Sequence, residues 1–172
     1  MKKLALISGF PCQEDVIEYI NDQKFDAVIG LGDIECPQFL NNFYGILGEF
    51  ESVFVMKYLK KTNRLIQTSI YGLSVNFSDK IVITHFPPKG FGTGIIGNFM
   101  IGNEETTKKI LHNKPKIVLH GHSEYPSISE KNGIKIISIG SLYNGFYTEY
   151  YPDNVEFVFK RAAIKYASSP SA

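Results

Sequence analysis

Four side chains that can bind a metal follow segments with the pattern of buried strands. In chain order they are Asp33 in "GLGD", Glu49 in "GEFE", His85 in "ITH" and His122 in "HGH". In α/β proteins, ligands collect in the crevice beyond the carboxyl ends of the strands. Two carboxylates and two imidazoles form a donor set suited to Zn, Mn or Fe. The sequence therefore predicts a site for one divalent transition metal at these four residues.

Each of these residues also has a purely structural interpretation. An aspartate after a glycine-rich turn, such as Asp33, often caps a helix or forms a turn. His85 can end a strand without binding anything, and His122 can be a core histidine whose hydrogen bonds are satisfied. Their shared position at predicted strand ends favours a common site. His120 lies within a predicted strand rather than after it and is predicted to be structural. His112 is predicted to lie at the end of a helix.

The segments that position these residues in the first half have a strand–helix–strand order. Residues 2–9 and 26–33 are short apolar runs typical of buried strands, and residues 13–23 have apolar side chains at helical spacing. Residues 44–52 are predicted to form a third strand. This order predicts parallel strands covered by a helix.

The second half is richer in hairpin patterns. Hairpins are predicted at residues 69–85, 125–141 and 147–161, with a helix at 103–114 and a strand at 115–122. Asn132–Gly133 is the strongest turn signal in the chain. A core of two sheets with helices outside accommodates both halves. We expect one domain over residues 1–162 and a frayed tail over residues 163–172.

The order of the motifs resembles the calcineurin-like metallophosphoesterases. "GD", "GEFE", "THFPP", "HGHSE" and "SIGSL" follow one another as in that family, and the resemblance spans roughly residues 4–160. The sequence is most similar to the small single-domain phosphodiesterase branch, which also includes Vps29-type scaffold proteins. The resemblance implies an α/β sandwich of two packed mixed β-sheets flanked by α-helices.

Several positions of the family's motifs are replaced in this chain. The metal-binding Asp-x-His after the first strand falls on Gly9 and Pro11, which have no metal-binding side chains. The phosphate-contacting histidine falls on Phe50, and its aspartate partner falls on Glu51. The last metal-binding histidine falls on Glu124. The resemblance thus implies at most one well-held metal, at Asp33, Glu49, His85 and His122.

These replacements leave two functions open. One is hydrolysis of a phosphate ester by a single-metal site, with metal-bound water as the nucleophile and Glu51 or Glu124 as the base. Loss of an acid or oxyanion donor typically costs about 10²–10³ in rate. The other function is that of a non-catalytic binding or scaffold module, with no metal if the site is dead.

The segment from Phe86 to Gly102 is long and apolar. Its large apolar side chains are Phe91, Ile95, Ile96, Phe99 and Met100. Loops of this length are often lids or binding surfaces. The segment is therefore predicted to be a lid or an interface for a second copy or another protein, with simple packing onto the body as the alternative.

Composition and charge narrow the classes of function. A net charge of +1 argues against strong general affinity for nucleic acid or anionic membranes. No apolar stretch reaches the length of a membrane span. The two cysteines, Cys12 and Cys36, are too few for a disulfide framework and are expected to be reduced thiols. The sequence therefore predicts a cytoplasmic protein, and the basic run at residues 57–64 is predicted to be a solvated face.

Overall fold

The computed structural model describes residues 1–66 and 81–163. Within them, the first part of the chain contains β1 (Leu4–Ile7), α1 (Glu14–Asp22), β2 (Ala27–Leu31), β3 (Phe43–Ile46) and α2 (Val53–Lys61). The second part contains β4 (Ile81–Thr84), β5 (Ile95–Ile96), β6 (Phe99–Met100), α3 (Glu104–Asn113), β7 (Ile117–His120), β8 (Pro126–Lys131), β9 (Ile134–Ile139), β10 (Phe146–Tyr151) and β11 (Glu156–Arg161).

The strands form two mixed sheets and a small hairpin. One sheet has the order β11-β10-β1-β2-β3, the other has the order β4-β7-β9-β8, and β5 pairs with β6. β1, β2 and β3 are parallel to one another, as are β4, β7 and β9. The carboxyl ends of β1, β2 and β3 therefore lie at one edge of the first sheet, and those of β4 and β7 lie at one edge of the second.

Side chains alternate across β1 between two hydrophobic clusters. Leu6 packs with Leu31 of β2 and with Leu119 and Ile137 of the second sheet, so the two sheets pack face to face. Ala5 and Ile7 belong instead to the cluster that contains Val16 of α1 and Val55 of α2. A third cluster joins Ile110 of α3 to Val118 and Ile136 of the second sheet. The predicted sandwich of two packed sheets flanked by helices is confirmed.

Two of the helices begin with side-chain caps. Ser52 accepts a hydrogen bond from Val55 N–H (3.2 Å) at the start of α2, and Asn103 accepts one from Thr106 N–H (2.9 Å) at the start of α3. α1 and α3 confirm the predicted helices. α2 lies where the sequence indicated only a basic run, and its lysines are exposed, as expected for a solvated face.

The predicted strand boundaries are partly wrong. The third strand ends at Ile46 rather than at Ser52, because Gly48–Ser52 forms a turn whose backbone N–H groups bond to side chains. The hairpins at 125–141 and 147–161 are confirmed, and Asn132 and Gly133 both have positive φ, as the turn requires. The turn predicted near residues 78–79 lies outside the described residues, and β4 pairs in parallel with β7.

The prediction of two reduced cysteines is wrong, because the structure joins Cys12 and Cys36 in a disulfide. The parallel pairing of β1 and β2 brings the loops that follow them to one edge of the sheet. Two residues 24 positions apart in sequence therefore have Cα atoms 5.4 Å apart, within the range that a disulfide spans. Local sequence carries no information about this approach.

The segment from Phe86 to Gly102 is divided between core and surface. Phe91 is buried with Ile110 and Ile134, so its prediction as a lid or interface residue is wrong. Ile95 is partly buried, and Ile96 is 38% exposed. Phe99 and Met100, which form β6, are 75% and 72% exposed. An apolar segment of this kind does not show from its sequence which of its side chains face the core.

Candidate metal centre

Asp33 lies just after β2, where Gly32 and Asp33 both adopt positive φ. Its Oδ1 accepts hydrogen bonds from Glu49 N–H (2.7 Å) and Phe50 N–H (3.0 Å). Its Oδ2 lies 3.3 Å from His85 Nε2. Burial raises the pKa of Asp33, but the neighbouring side chains of His122 and His85 outweigh this effect and hold the pKa well below its usual value. One carboxylate oxygen thus anchors the turn after β3, while the other faces the histidines.

His85 follows β4 and is fully buried. Its Nδ1 lies 2.7 Å from the carbonyl oxygen of Leu31. Because a carbonyl only accepts hydrogen bonds, Nδ1 carries the proton in the neutral ring and Nε2 carries the lone pair. Nε2 is buried and has no hydrogen-bond partner among the described residues. Burial lowers the pKa of His85, but the Asp33 carboxylate raises it by more, so the pKa lies above its usual value. Positive charge is therefore favoured beside Asp33.

His122 follows β7, also with positive φ. Its Nδ1 lies 3.7 Å from Asp33 Oδ2, and its Nε2 lies 3.8 Å from Glu49 Oε1. The ring packs edge-on against that of His85, with centroids 4.9 Å apart. Glu49 is the most exposed of the four predicted ligands, with a side chain 40% exposed.

The structure brings three of the four predicted ligands into one cluster. Ligand atoms of Asp33, His85 and His122 all lie within 4.8 Å of one another, whereas Glu49 stands beside His122 at the rim. Two imidazoles and one carboxylate are the donor set of many catalytic metal sites, which keep a coordination position open for substrate. The unpartnered Nε2 of His85 and this donor set fit a divalent metal.

Two glycines make the close approach of the ligands possible. A Cβ at Gly32 would contact the His85 ring, and a Cβ at Gly48 would contact the Asp33 carboxylate. Any side chain at either position would therefore displace a residue of the cluster. Gly32 also has a φ of +99°, which side-chain-bearing residues rarely adopt.

Glu51, one of the two predicted base candidates, bonds to the backbone. Its Oε2 accepts from Gly48 N–H (2.8 Å) and its Oε1 from Ile34 N–H (3.2 Å). Burial raises the pKa of this carboxyl group. The contacts brace the turn that carries Glu49 and Phe50 against the loop that carries Asp33.

A pocket with a volume of about 270 Å³ opens beside the metal cluster. Asp33, His122 and the second base candidate, Glu124, line it. Phe50, Ile96 and Tyr143 contribute large apolar surfaces to the same pocket. Glu124 therefore faces the open space next to the cluster, whereas Glu51 is not among the lining residues.

The end of β1 contributes a different kind of surface to this pocket. Gly9 lines it, and a Cβ at Gly9 would contact Ser141 Oγ and come within 2.8 Å of the Tyr143 ring. Ring atoms of Tyr143 thus lie next to the position where the family resemblance expects an aspartate side chain. Sequence reasoning missed Tyr143, because nothing in its local pattern indicates a neighbour 134 positions earlier in the numbering.

His120 and Ser123 attach the β5–β6 hairpin to the end of β7. Thr93 Oγ1 lies 2.8 Å from His120 Nε2, and Ser123 Oγ donates to the Thr93 carbonyl (3.0 Å). Glu124 N–H donates to the Ile95 carbonyl (2.9 Å). Burial lowers the pKa of His120 to about 4, which keeps the ring neutral. The structural role predicted for His120 agrees with these contacts, and the base of the hairpin is a fixed wall of the pocket.

Comparison with known proteins identifies the fold. No family model matches the sequence, and no curated protein matches it. Among solved structures, a Thermotoga maritima protein is 23% identical with a TM-score of 0.60, covering 94% of this chain and 98% of that one. A novel archaeal phosphodiesterase is 17% identical with a TM-score of 0.57, covering 92% and 99%. A predicted phosphoesterase from Streptococcus pneumoniae is 18% identical with a TM-score of 0.53, covering 94% and 90%. At these identities the similarity shows a shared fold.

Proposed function

We propose that this chain, which has the calcineurin-like metallophosphoesterase fold, hydrolyses phosphate esters with one divalent metal. The observation that carries the proposal is the convergence of ligand atoms of Asp33, His85 and His122 within 4.8 Å of one another. The cluster stands at the wall of a pocket large enough for a small ligand. His85 Nε2 is buried, faces Asp33 Oδ2 at 3.3 Å and has no hydrogen-bond partner among the described residues, so in the neutral ring its lone pair is available to a metal ion.

Zinc, manganese and iron all suit two imidazole nitrogens and a carboxylate. When bound, such an ion supplies Lewis-acid chemistry that polarises a phosphoryl oxygen and acidifies water. Asp33, His85 and His122 would hold it, and Glu49 is close enough to His122 to be a further oxygen ligand from the rim.

The two glutamates have separate roles in this proposal. Glu124 lines the pocket, and no hydrogen bond of its carboxylate appears among the described residues, so it is the group that can accept a proton from attacking water. Glu51 is a positioning residue, because both of its oxygens accept backbone N–H groups beside Asp33.

The test measures turnover of bis(4-nitrophenyl) phosphate by zinc- or manganese-loaded protein. We expect the His122→Ala variant to lose about 100-fold or more of the rate, because it loses a metal ligand. His112→Ala, which changes an exposed histidine on α3, is the matched control and keeps the rate.

Two results would contradict the proposal. Protein that binds no zinc, manganese or iron after dialysis against each ion has no such centre. Turnover that survives in His122→Ala at the control's level does not come from this site.

A binding or scaffold module is the second candidate function. The observation that favours it is the exposure of Phe99 and Met100 in the β5–β6 hairpin, together with the absence of metal-binding side chains at Gly9 and Pro11. In this function the hairpin contacts a second copy or a protein partner. Phe99→Asp together with Met100→Asp should then abolish self-association or partner capture. Unchanged association in sedimentation and pull-down experiments removes the hairpin from consideration.

The location of the protein stays a prediction. No helix in residues 1–66 and 81–163 is both long and apolar enough to cross a membrane. The proposed cytoplasmic location also depended on reduced cysteines, and the Cys12–Cys36 disulfide removes that support.

A further inference from the structure

The pocket beside the metal cluster has an apolar wall built from three separate segments. Phe50 comes from the turn between β3 and α2, Ile96 from the β5–β6 hairpin, and Tyr143 from the short helical turn Leu142–Asn144 after β9. Phe50 is 69% exposed, Tyr143 is 44% exposed and Ile96 is 38% exposed. Apolar surface that converges on a pocket without being covered marks a place where a ligand binds.

Each of the three segments is held in place by hydrogen bonds. Phe50 N–H donates to Asp33 Oδ1, the same carboxylate that faces the histidines. Tyr143 OH donates to Glu35 Oε1 (3.3 Å), and Ser141 Oγ accepts from Tyr143 N–H (3.2 Å). Ile95 N–H, next to Ile96, donates to Ser123 Oγ (3.0 Å). The three segments that carry the wall are therefore held in place before a ligand arrives, which lowers the entropy cost of binding.

The charges of the pocket indicate what must provide affinity. Among the described residues that line it, there are the carboxylates of Asp33 and Glu124 and no lysine or arginine. A phosphate group can therefore be attracted by a bound metal but not by side-chain cations of the lining. The large side chains of the lining that can contact the organic part of the ligand are aromatic and aliphatic, and the other polar side chains outside the metal cluster are uncharged, namely Ser8, Ser123, Ser141 and Asn144.

Gly9 is what leaves room for Tyr143. A Cβ at Gly9 would meet Tyr143 ring carbons at 2.8 and 3.1 Å, so the ring occupies space that any larger residue at position 9 would take. The absence of a metal-binding side chain at the end of β1 is thus matched by an aromatic side chain in the same part of the pocket.

We propose that Phe50, Ile96 and Tyr143 form a specificity site for a flat apolar group, so that the preferred substrates are phosphate esters carrying an aryl or similarly planar substituent. This inference rests on the proposed metal-dependent hydrolysis, since the metal cluster would bind the phosphoryl group of the same molecule. Stacking or edge contacts with the two aromatic rings provide the selectivity.

The test is a binding measurement that requires no turnover. Methylphenylphosphinate and dimethylphosphinate carry the same single charge and have no ester bond, and only the first has a ring. Their affinities for zinc-loaded protein are compared by saturation-transfer NMR and calorimetry. We expect methylphenylphosphinate to bind about tenfold more tightly.

Substitutions in the apolar wall test whether it causes the preference for methylphenylphosphinate. Phe50→Ala and Tyr143→Ala should each reduce the preference about threefold or more, with unchanged zinc affinity. Tyr143→Phe keeps the ring and should keep the preference, which separates ring contact from the hydrogen bond to Glu35. Phe54→Ala is the matched control for Phe50, because Phe54 is similarly exposed (65%) and is not among the lining residues.

The inference is overturned if the two phosphinates bind with equal affinity or if neither binds. It is also overturned if the preference for methylphenylphosphinate survives in both alanine variants. A protein that keeps the preference but never turns over a phosphate ester contradicts the proposed hydrolysis alone. A protein that turns over esters without any preference for the ring contradicts the specificity site alone.

Discussion

The end of β1 and the ends of β2 and β7 border the same pocket with opposite chemistry, and the buried His85 after β4 belongs to the same cluster as the residues after β2 and β7. After β2, β4 and β7 stand Asp33, His85 and His122, whose ligand atoms converge. After β1 stands Gly9, packed against the ring of Tyr143, and three residues later a cysteine is joined to Cys36. Parallel strands place their carboxyl ends together whatever side chains follow. The fold therefore sets the location of the site, while the residues after each strand set whether that part of it can bind a metal or an apolar group.

The largest effect is expected from a substitution at Asp33, which lies at the centre of the metal cluster. Asn at position 33 keeps an Oδ1 that can accept from Glu49 and Phe50 N–H, but it replaces the oxygen that faces the histidines with an amide. Asp33→Asn should lower zinc affinity on the order of 100-fold or more, measured by chelator competition. Asp153→Asn, at an exposed position, is the control. Unchanged affinity would show that the cluster does not hold zinc.

The second prediction concerns the disulfide between Cys12, in the loop after β1, and Cys36. The disulfide closes a loop between residues 24 positions apart, and loops of this size gain about 3 kcal/mol from closure. Replacing both Cys12 and Cys36 with alanine should lower the free energy of unfolding in urea by about that amount. A reducing agent should lower it to a similar extent in the wild type and have no effect in the variant. Identical unfolding of both proteins, with or without reductant, refutes the bond.

The third prediction concerns the introduction of a metal-binding side chain at the end of β1. Gly9→Asp restores the carboxylate that the family resemblance expects, but it forces a side chain against Ser141 and Tyr143 at a positive φ. We expect a loss of about 1–3 kcal/mol in unfolding free energy and no second zinc per chain by elemental analysis. Gly133→Asp is the control, because Gly133 also has positive φ and nothing lies within 4 Å of the position that a Cβ there would take. Two zinc ions per chain would contradict the interpretation.

The smallest effect is expected at Glu51, which holds the turn after β3 beside the metal cluster. Gln at position 51 has one oxygen for two N–H donors, so Glu51→Gln should cost about 1 kcal/mol in unfolding free energy. The pKa of Glu51 is raised above its usual value of 4.5, so the stability tied to its protonation is present below pH 4.5 and lost as pH rises through the raised pKa. The deficit of the variant should therefore be largest at acid pH. A deficit that grows toward neutral pH contradicts this account.

Much of the fold was predictable because its signals are local. Alternating and continuous apolar runs indicated β1, β2, β7 and the two hairpins, and helical spacing indicated α1 and α3. α2 was missed because the lysines in its second half were interpreted as a basic run, and only two of its residues, Val55 and Leu59, are buried. The end of β3 was misplaced because the apolar run continues into a turn whose pairing depends on Asp33 and Glu51.

The sequence predicted the position of a candidate ligand well where that ligand lies close to the end of a strand. Asp33, His85 and His122 come together because each stands directly after a parallel strand. Glu49 is three residues past the end of β3, whereas the other ligands are one or two residues past the ends of their strands, and the turn carries its carboxylate to the rim beside His122. Its distance from the cluster depends on hydrogen bonds that no pattern of apolar residues encodes.

The sequence by itself determined the class of fold, most of its strands and helices and the residue types at the strand ends, because these depend mainly on spacing within a few positions. Only the tertiary structure decided that Cys12 meets Cys36, that Phe91 is buried while Phe99 is exposed, and that Tyr143 packs against Gly9. The physical reason is that these contacts join residues distant in sequence, and their distances result from the packing of two whole sheets and their loops.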